Sequence, residues 1–173
     1  MPNRKTHVQL GVTAGTVAGA YRVARRRKRR PEKPVSVLHD ALQIVGSGAG
    51  GYFGGRLPDV IEPATTPNHR GPAHSFVGTG FLVRLAGNLD RWEDGWRDQA
   101  EYHGESRRRE WSQFQTASAW EAVQHLIKSG LHGLAELFFA LLSGIPIGVV
   151  AGYVSHVVAD GFTPKSVPIV GFA

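Results

Sequence analysis

The sequence predicts an all-α protein, a compact helical bundle built from apolar, Gly-rich helices with one charged helical excursion. Three observations carry that prediction. No stretch shows the sustained two-residue alternation of a half-buried strand. The apolar segments place small residues at helical spacing, most clearly Gly11, Gly15 and Gly19, which would give a helix one smooth face for a neighbour. Between residues 88 and 115, charges of both signs recur at the three- and four-residue intervals of an exposed helix. The 173 residues suit one domain spanning 1–173. The chain has no cysteine, which excludes disulfides, thiolate-held zinc and thiol nucleophiles. Any metal must therefore be held by His, Asp, Glu or backbone oxygen.

Residues 6–21 are apolar and small and are expected to form the first helix. They resemble a signal peptide only superficially, because the charge cluster follows the apolar part instead of preceding it. Arg22, Arg25, Arg26, Arg27, Lys28, Arg29 and Arg30 come next, and outside them the chain is close to neutral. With Pro31 and Pro34 they read as a basic loop at 22–34. A solvated loop is the plain reading. A polybasic patch on the cytoplasmic side of a membrane is the sharper one, since each such residue gains about 1 kcal/mol near an anionic leaflet. Nucleic-acid binding through 22–30 is a third reading, weaker because no aromatic residue interleaves the run.

Ser36 is a candidate N-cap for a helix over 37–45. The glycines at 46, 48, 50 and 51 lack the Lys-Ser/Thr ending of a phosphate loop and read as a close-packed continuation to Gly55. Pro72 suits the first turn of a helix over 73–86. The segment 88–115 is a hydrophilic insertion, and Trp92, Trp96 and Trp111 are expected to pin it to the bundle; a membrane-interface role is the alternative. Residues 137–158 carry no formal charge and approach the roughly 20 residues that cross a bilayer. Gly144, Pro146 and Gly148 interrupt them, so a buried hairpin of two shorter helices competes with one spanning helix.

The stretch 57–75 organises the functional reading. It holds Asp59, Glu62, His69, Arg70 and His74 among four prolines, which stiffen it. Imidazole and carboxylate are the usual zinc ligands where thiolate is absent. His156 and Asp160, four apart near the far end of the chain, would share one helix face. Taken alone, that pair does no more than suggest a mutual hydrogen bond. His69 and His74 lie five apart across a Gly-Pro turn, and His7 stands at the start of the first apolar helix. Burying such groups separately would be costly, so a shared metal site explains their placement. Asp59 or Glu62 would then take a water proton, and Arg70 would offset charge on a phosphoryl group. His39 and His132 read as structural; His103 lies in the charged segment, and His125 has no acidic companion at a useful spacing.

These motifs have an order. Thr6-His7, Leu57-Pro58-Asp59, His69-Arg70-Gly71-Pro72-Ala73-His74-Ser75 and Gly152-Tyr153-Val154-Ser155-His156 through Asp160, Thr163 and Pro164 together resemble the LexA-regulated, inner-membrane-associated metal-dependent hydrolases. That family is distantly similar to zinc-dependent phospholipase C and related single-strand nucleases. The resemblance covers both ends and the centre of the chain, but neither the arginine run nor 88–115. It implies an all-helical fold and a divalent metal, zinc first, with His7, Asp59, His69, His74, His156 and Asp160 as ligands. The family pattern often has a second acid two residues after the Leu-Pro-Asp acid. Ile61 stands there in this chain, and Glu62 beside it would point elsewhere on a regular backbone.

The expectation is therefore a hydrolase associated with the cytoplasmic membrane, acting on phosphoesters of phospholipid type through a metal-activated water. One alternative is a non-catalytic envelope protein with a structural metal or a polar His/Asp network. Another is a basic nucleic-acid-binding accessory protein or nuclease.

Overall fold

The structure is a computed structural model of the chain and describes residues 4–63 and 72–162. Every regular element among the described residues is helical, with no strand. The elements are α1 (Arg4–Arg29), α2 (Val37–Gly54), the short α3 (Leu57–Ile61), a 3-10 turn (Pro72–His74), α4 (Phe76–Leu85), α5 (Leu89–Phe114), α6 (Ala119–Leu142) and α7 (Ile145–Gly161). A second 3-10 turn, Ala86–Asn88, leads into α5.

Helices α1, α2 and α7 form the centre, and glycine is what lets them meet. A Cβ on Gly15 would lie 2.3 Å from the Ser47 carbonyl oxygen, and one on Gly148 would lie 2.0 Å from that same atom. Backbone thus packs against backbone, a geometry that small residues permit and larger ones forbid. The contact order gives directions. Gly11, Gly15 and Gly19 meet α2 in descending order, so α1 and α2 are antiparallel. Gly46, Gly50 and Gly54 meet Leu141, Ile145 and Val149 in ascending order, so α6 and α7 run one after the other along α2. The turn at 143–144 therefore makes no hairpin: α6 and α7 continue in one direction with a break between them. Pro146 sits in the first turn of α7, where its missing N–H costs nothing. Within Ala119–Gly161 the chain is apolar and long enough to cross a membrane by length and composition, though 39% of that window is buried in the bundle.

The basic run is not a loop. Arg26, Arg27, Lys28 and Arg29 form the last turn of α1, where cations favour the negative end of the helix dipole. The charged α5 supplies their counterions. Arg26 pairs with Asp94, Asp98 and Glu101, Arg30 with Asp94 and Asp98, and Lys33 with Asp98 and Glu101, all within 3.5 Å. Deeper in, buried Arg97 bonds Asp40 and Gln43 of α2, and Asp40 also takes Arg27. Arg22, Arg26, Arg27 and Arg30 of the basic run are thus ion-paired within the molecule.

Helix α6 starts at a capping box of Ser118 and Glu121 and lies antiparallel to α5. Between them, buried Glu136 accepts from His39 Nε2 at 2.8 Å and Arg107 Nε at 2.8 Å. His103 and His132 share an Nδ1···Nδ1 hydrogen bond of 2.8 Å. His125 does find an acid, Glu110 at 2.6 Å, on α5 and not on its own helix. The tryptophans do not pin α5 as expected: Trp92 and Trp111 stand largely exposed, and only Trp96 is half-buried.

Candidate metal centre

The ends of the three central helices define one corner of the bundle. Because α1 is antiparallel to α2 and α7, its first turns lie beside the last turns of the other two. That puts His7 next to His156 and Asp160, with the rings of His7 and His156 stacked 3.9 Å apart. Helix α3, opened by Pro58 in its first turn, carries Asp59 to the same place. The 3-10 turn begun by Pro72 delivers His74, and the Tyr153 hydroxyl of α7 fastens that turn by donating to the Ala73 carbonyl. His7, His74, His156 and Asp160 are all buried. Asp59 is the exception, with a side chain 41% exposed.

The donor atoms converge. His74 Nε2 lies 3.4 Å from Asp59 Oδ1, and His156 Nε2 lies 3.5 Å from the same oxygen. Asp160 Oδ2 lies 3.5 Å from His156 Nε2 and 3.9 Å from His74 Nε2. The other oxygen of Asp160, Oδ1, is 3.4 Å from His7 Nε2. Good hydrogen bonds from nitrogen to oxygen are shorter, about 2.7–3.2 Å. A tetrahedral zinc with ligands at 2.0–2.1 Å would hold them about 3.3–3.4 Å apart, one edge of the tetrahedron. Three of the six edges among Asp59, His74, His156 and Asp160 thus have lengths near that edge, and a fourth, His74–Asp160, is 3.9 Å.

Backbone and outer groups set each imidazole. His156 Nδ1 donates to the Gly55 carbonyl at 2.7 Å, which leaves Nε2 to carry the lone pair. That Nε2 is buried and makes no hydrogen bond among the described residues. His74 Nδ1 donates to Glu62 Oε2 at 3.0 Å, so its Nε2 also faces the cluster. Glu62 reaches His74 because it closes α3 with φ −124 and ψ 80, off the helical path. Its other oxygen accepts from the Ala73 N–H at 3.0 Å. The regular backbone assumed from sequence fails at this one residue, and the failure turns Glu62 inward.

Three carboxylates, Asp59, Glu62 and Asp160, lie beside histidines that are neutral in their ligating form, a donor set that suits a cation. The hydrogen bond from His74 holds the Asp59 carboxyl below its usual range, although burial pulls the other way. Burial lowers the His74 pKa, but hydrogen bonds to Asp59 and Glu62 and the charge of Asp160 outweigh it and leave it raised. Burial, with His156 beside it, lowers the His7 pKa, which keeps that ring neutral near pH 7.

Six of the residues expected at the site are therefore together: His7, Asp59, Glu62 and His74, with His156 and Asp160 from the far end. His69 and Arg70 lie outside the described residues, as do Thr163 and Pro164. Sequence reading missed the Gly55 carbonyl and Tyr153; the glycine signal was present, but a carbonyl partner leaves no mark in a sequence. Comparison with known proteins finds no matching family model, no similar curated protein and no similar solved structure.

Proposed function

We propose that the cluster binds a divalent cation, zinc by ligand type, and that the protein is a metal-dependent hydrolase of phosphoesters. The observation that carries this reading is the convergence of two imidazoles and two carboxylates at donor separations of 3.4, 3.5, 3.5 and 3.9 Å, longer than the usual hydrogen bond and compatible with ligands of one ion. The orphaned Nε2 of His156 fits the same reading. Asp59, His74, His156 and Asp160 would hold the ion, with His7 as a fifth donor. Two triads of donors can be drawn, His7–His156–Asp160 and Asp59–His74–His156. Both need His156, whose Nδ1 is committed to Gly55, and one lone pair serves one ion. Among the described residues the two triads therefore outline one ion.

When bound, the ion lowers the pKa of a water to near neutral and draws charge from a phosphoryl oxygen. The chain's own residues divide the remaining work. Glu62 positions His74 and is occupied by two donors, so it serves orientation more than proton transfer. Asp59, with its lowered pKa, suits a ligand better than a base, and its exposure marks the way in for substrate. Solvent access on one side favours catalysis over a closed structural site. The nucleic-acid reading loses part of its support, since α5 already pairs Arg22, Arg26 and Arg30 of the basic run.

The test is hydrolysis of bis-p-nitrophenyl phosphate by zinc-loaded protein beside His74→Ala and His156→Ala. Turnover lost at least a hundredfold in both variants supports the proposal. Equal rates in all three would overturn it.

A further inference from the structure

Helix α6 is turned inside out. Its inner side is polar. Ser129 and Glu136 are buried there beside Ala140, and Glu136 is held by His39 and Arg107. His125 and His132 bond Glu110 and His103 of α5. The outer side is apolar. Trp120, Val123, Ile127, Leu131, Leu134 and Phe138 follow one another at steps of three and four residues, and each is 45–70% exposed. Because Ala119–Leu142 is one unbroken helix, those steps keep all six on one face, roughly opposite Ser129 and Glu136. A helix at the surface of a soluble bundle shows the reverse arrangement. A contiguous apolar face left uncovered marks an interface.

The spacing of this face is palindromic. Reversal about the midpoint between Gly130 and Leu131 carries position 120 onto 141, 123 onto 138, 127 onto 134 and 130 onto 131. An antiparallel copy of α6 would set Trp120 against half-buried Leu141, Val123 against Phe138 and Ile127 against Leu134, each contact made twice. At the centre Leu131 would face Gly130, which has nothing within 4 Å of where a Cβ would lie. A twofold interface requires this kind of self-complementary surface. At these exposures the six side chains offer roughly 500 Å² per chain. A symmetric pair would then cover about 1,000 Å², the lower end of a specific interface.

We infer that the outer face of α6 is the surface through which two copies of this chain pair, antiparallel, about a twofold axis beside Gly130 and Leu131. A bilayer fits the face less well. Gln124 and Lys128, both exposed, border it at mid-length. Lipid would strip their water, whereas at a helix–helix seam they stand on the wet rim. The pairing uses no residue of the His/Asp corner and does not depend on the hydrolase reading.

The chain has no cysteine, so introduced ones report the contact without background. Val123→Cys and Phe138→Cys chains are oxidised mildly, each alone and as a mixture. Analytical ultracentrifugation compares wild type with the Leu131→Lys, Leu134→Lys double variant. The inference expects a wild-type dimer and a double variant that keeps its helical circular dichroism but self-associates about a hundredfold or more weakly. The mixture should give disulfide dimers that join the two different chains. Val123→Cys alone should stay unlinked, since two such residues would lie about 22 Å apart along an antiparallel pair. If the lysine variant loses its helical spectrum, the cysteine mixture decides alone. A wild type that stays monomeric at about 100 μM would overturn the inference. So would a dimer that survives both lysines. Val123→Cys chains that link to themselves as readily as to Phe138→Cys would overturn the antiparallel register. A monomeric wild type that sediments with vesicles of phosphatidylcholine and phosphatidylglycerol, when the lysine variant does not, would assign the face to a bilayer and overturn the dimer.

Discussion

The Nδ1 of His156 donates a 2.7 Å hydrogen bond to the carbonyl oxygen of Gly55, and this bond ties the His/Asp cluster to the glycine packing of the bundle. Gly55 stands where α2 ends against the start of α1. A Cβ there would lie 2.9 Å from the His7 carbonyl oxygen and 3.2 Å from Gly11 Cα. Gly55→Ala must therefore push α1 and α2 apart and move both the carbonyl and His7. Loss of such an outer partner typically lowers metal affinity about 10–100-fold. Competition with a zinc-sensitive dye should show a loss of that size in Gly55→Ala, with no ligand side chain altered.

Glu62 gives a second test of orientation. Glu62→Gln keeps an acceptor for the Ala73 N–H but removes the charge facing His74 Nδ1. Zinc affinity should fall about 10–100-fold while the helical circular dichroism stays unchanged. An unchanged affinity would mean that His74 is held by its turn and by Tyr153 alone.

The glycines predict opposite signs at two positions. Gly148→Ala would place a methyl 2.0 Å from the Ser47 carbonyl oxygen, and the helices must separate. Overpacking of this kind costs about 1–3 kcal/mol or more. Gly130, within α6, has nothing within 4 Å of its would-be Cβ. Gly130→Ala should stabilise the protein by about 0.5–1 kcal/mol through helix propensity. Chemical denaturation of the pair reads both signs in one experiment.

How far the sequence led differs between fold and site. Gly11, Gly15 and Gly19 announced a close helix contact, Ser36 announced the start of α2, and the alternating charges announced α5. What could not be read was which surfaces those charges meet. The arginine run looked like a free patch because its counterions, Asp94, Asp98 and Glu101, lie more than sixty residues away. His125 looked unpaired because its acid, Glu110, lies on the neighbouring helix α5. At the site, residue types were visible but backbone direction was not: Glu62 reaches His74 only through a non-helical φ and ψ at the end of α3.

Acid should loosen the α5–α6 contact. Burial pushes the Glu136 carboxyl up, but the bonds from His39 and Arg107 prevail and hold it below its ordinary 4.5. A depressed carboxyl stabilises the fold above its unfolded pKa and loses that contribution as pH falls through the folded one. Stability should therefore drop below about pH 4.5. Glu136→Gln should already be weaker at pH 7, by about 1.5–3 kcal/mol, with a shallower acid limb. Urea midpoints measured from pH 7 down to pH 3 check both statements.

The most direct measurement is the metal content of the purified chain, by elemental analysis after zinc loading and desalting, for wild type, His156→Ala and His74→Ala. One mononuclear site predicts about one zinc per wild-type chain and a large loss in each variant while both keep their helical spectrum. Equal zinc in all three proteins, or none in the wild type, would contradict a metal held between Asp59, His74, His156 and Asp160.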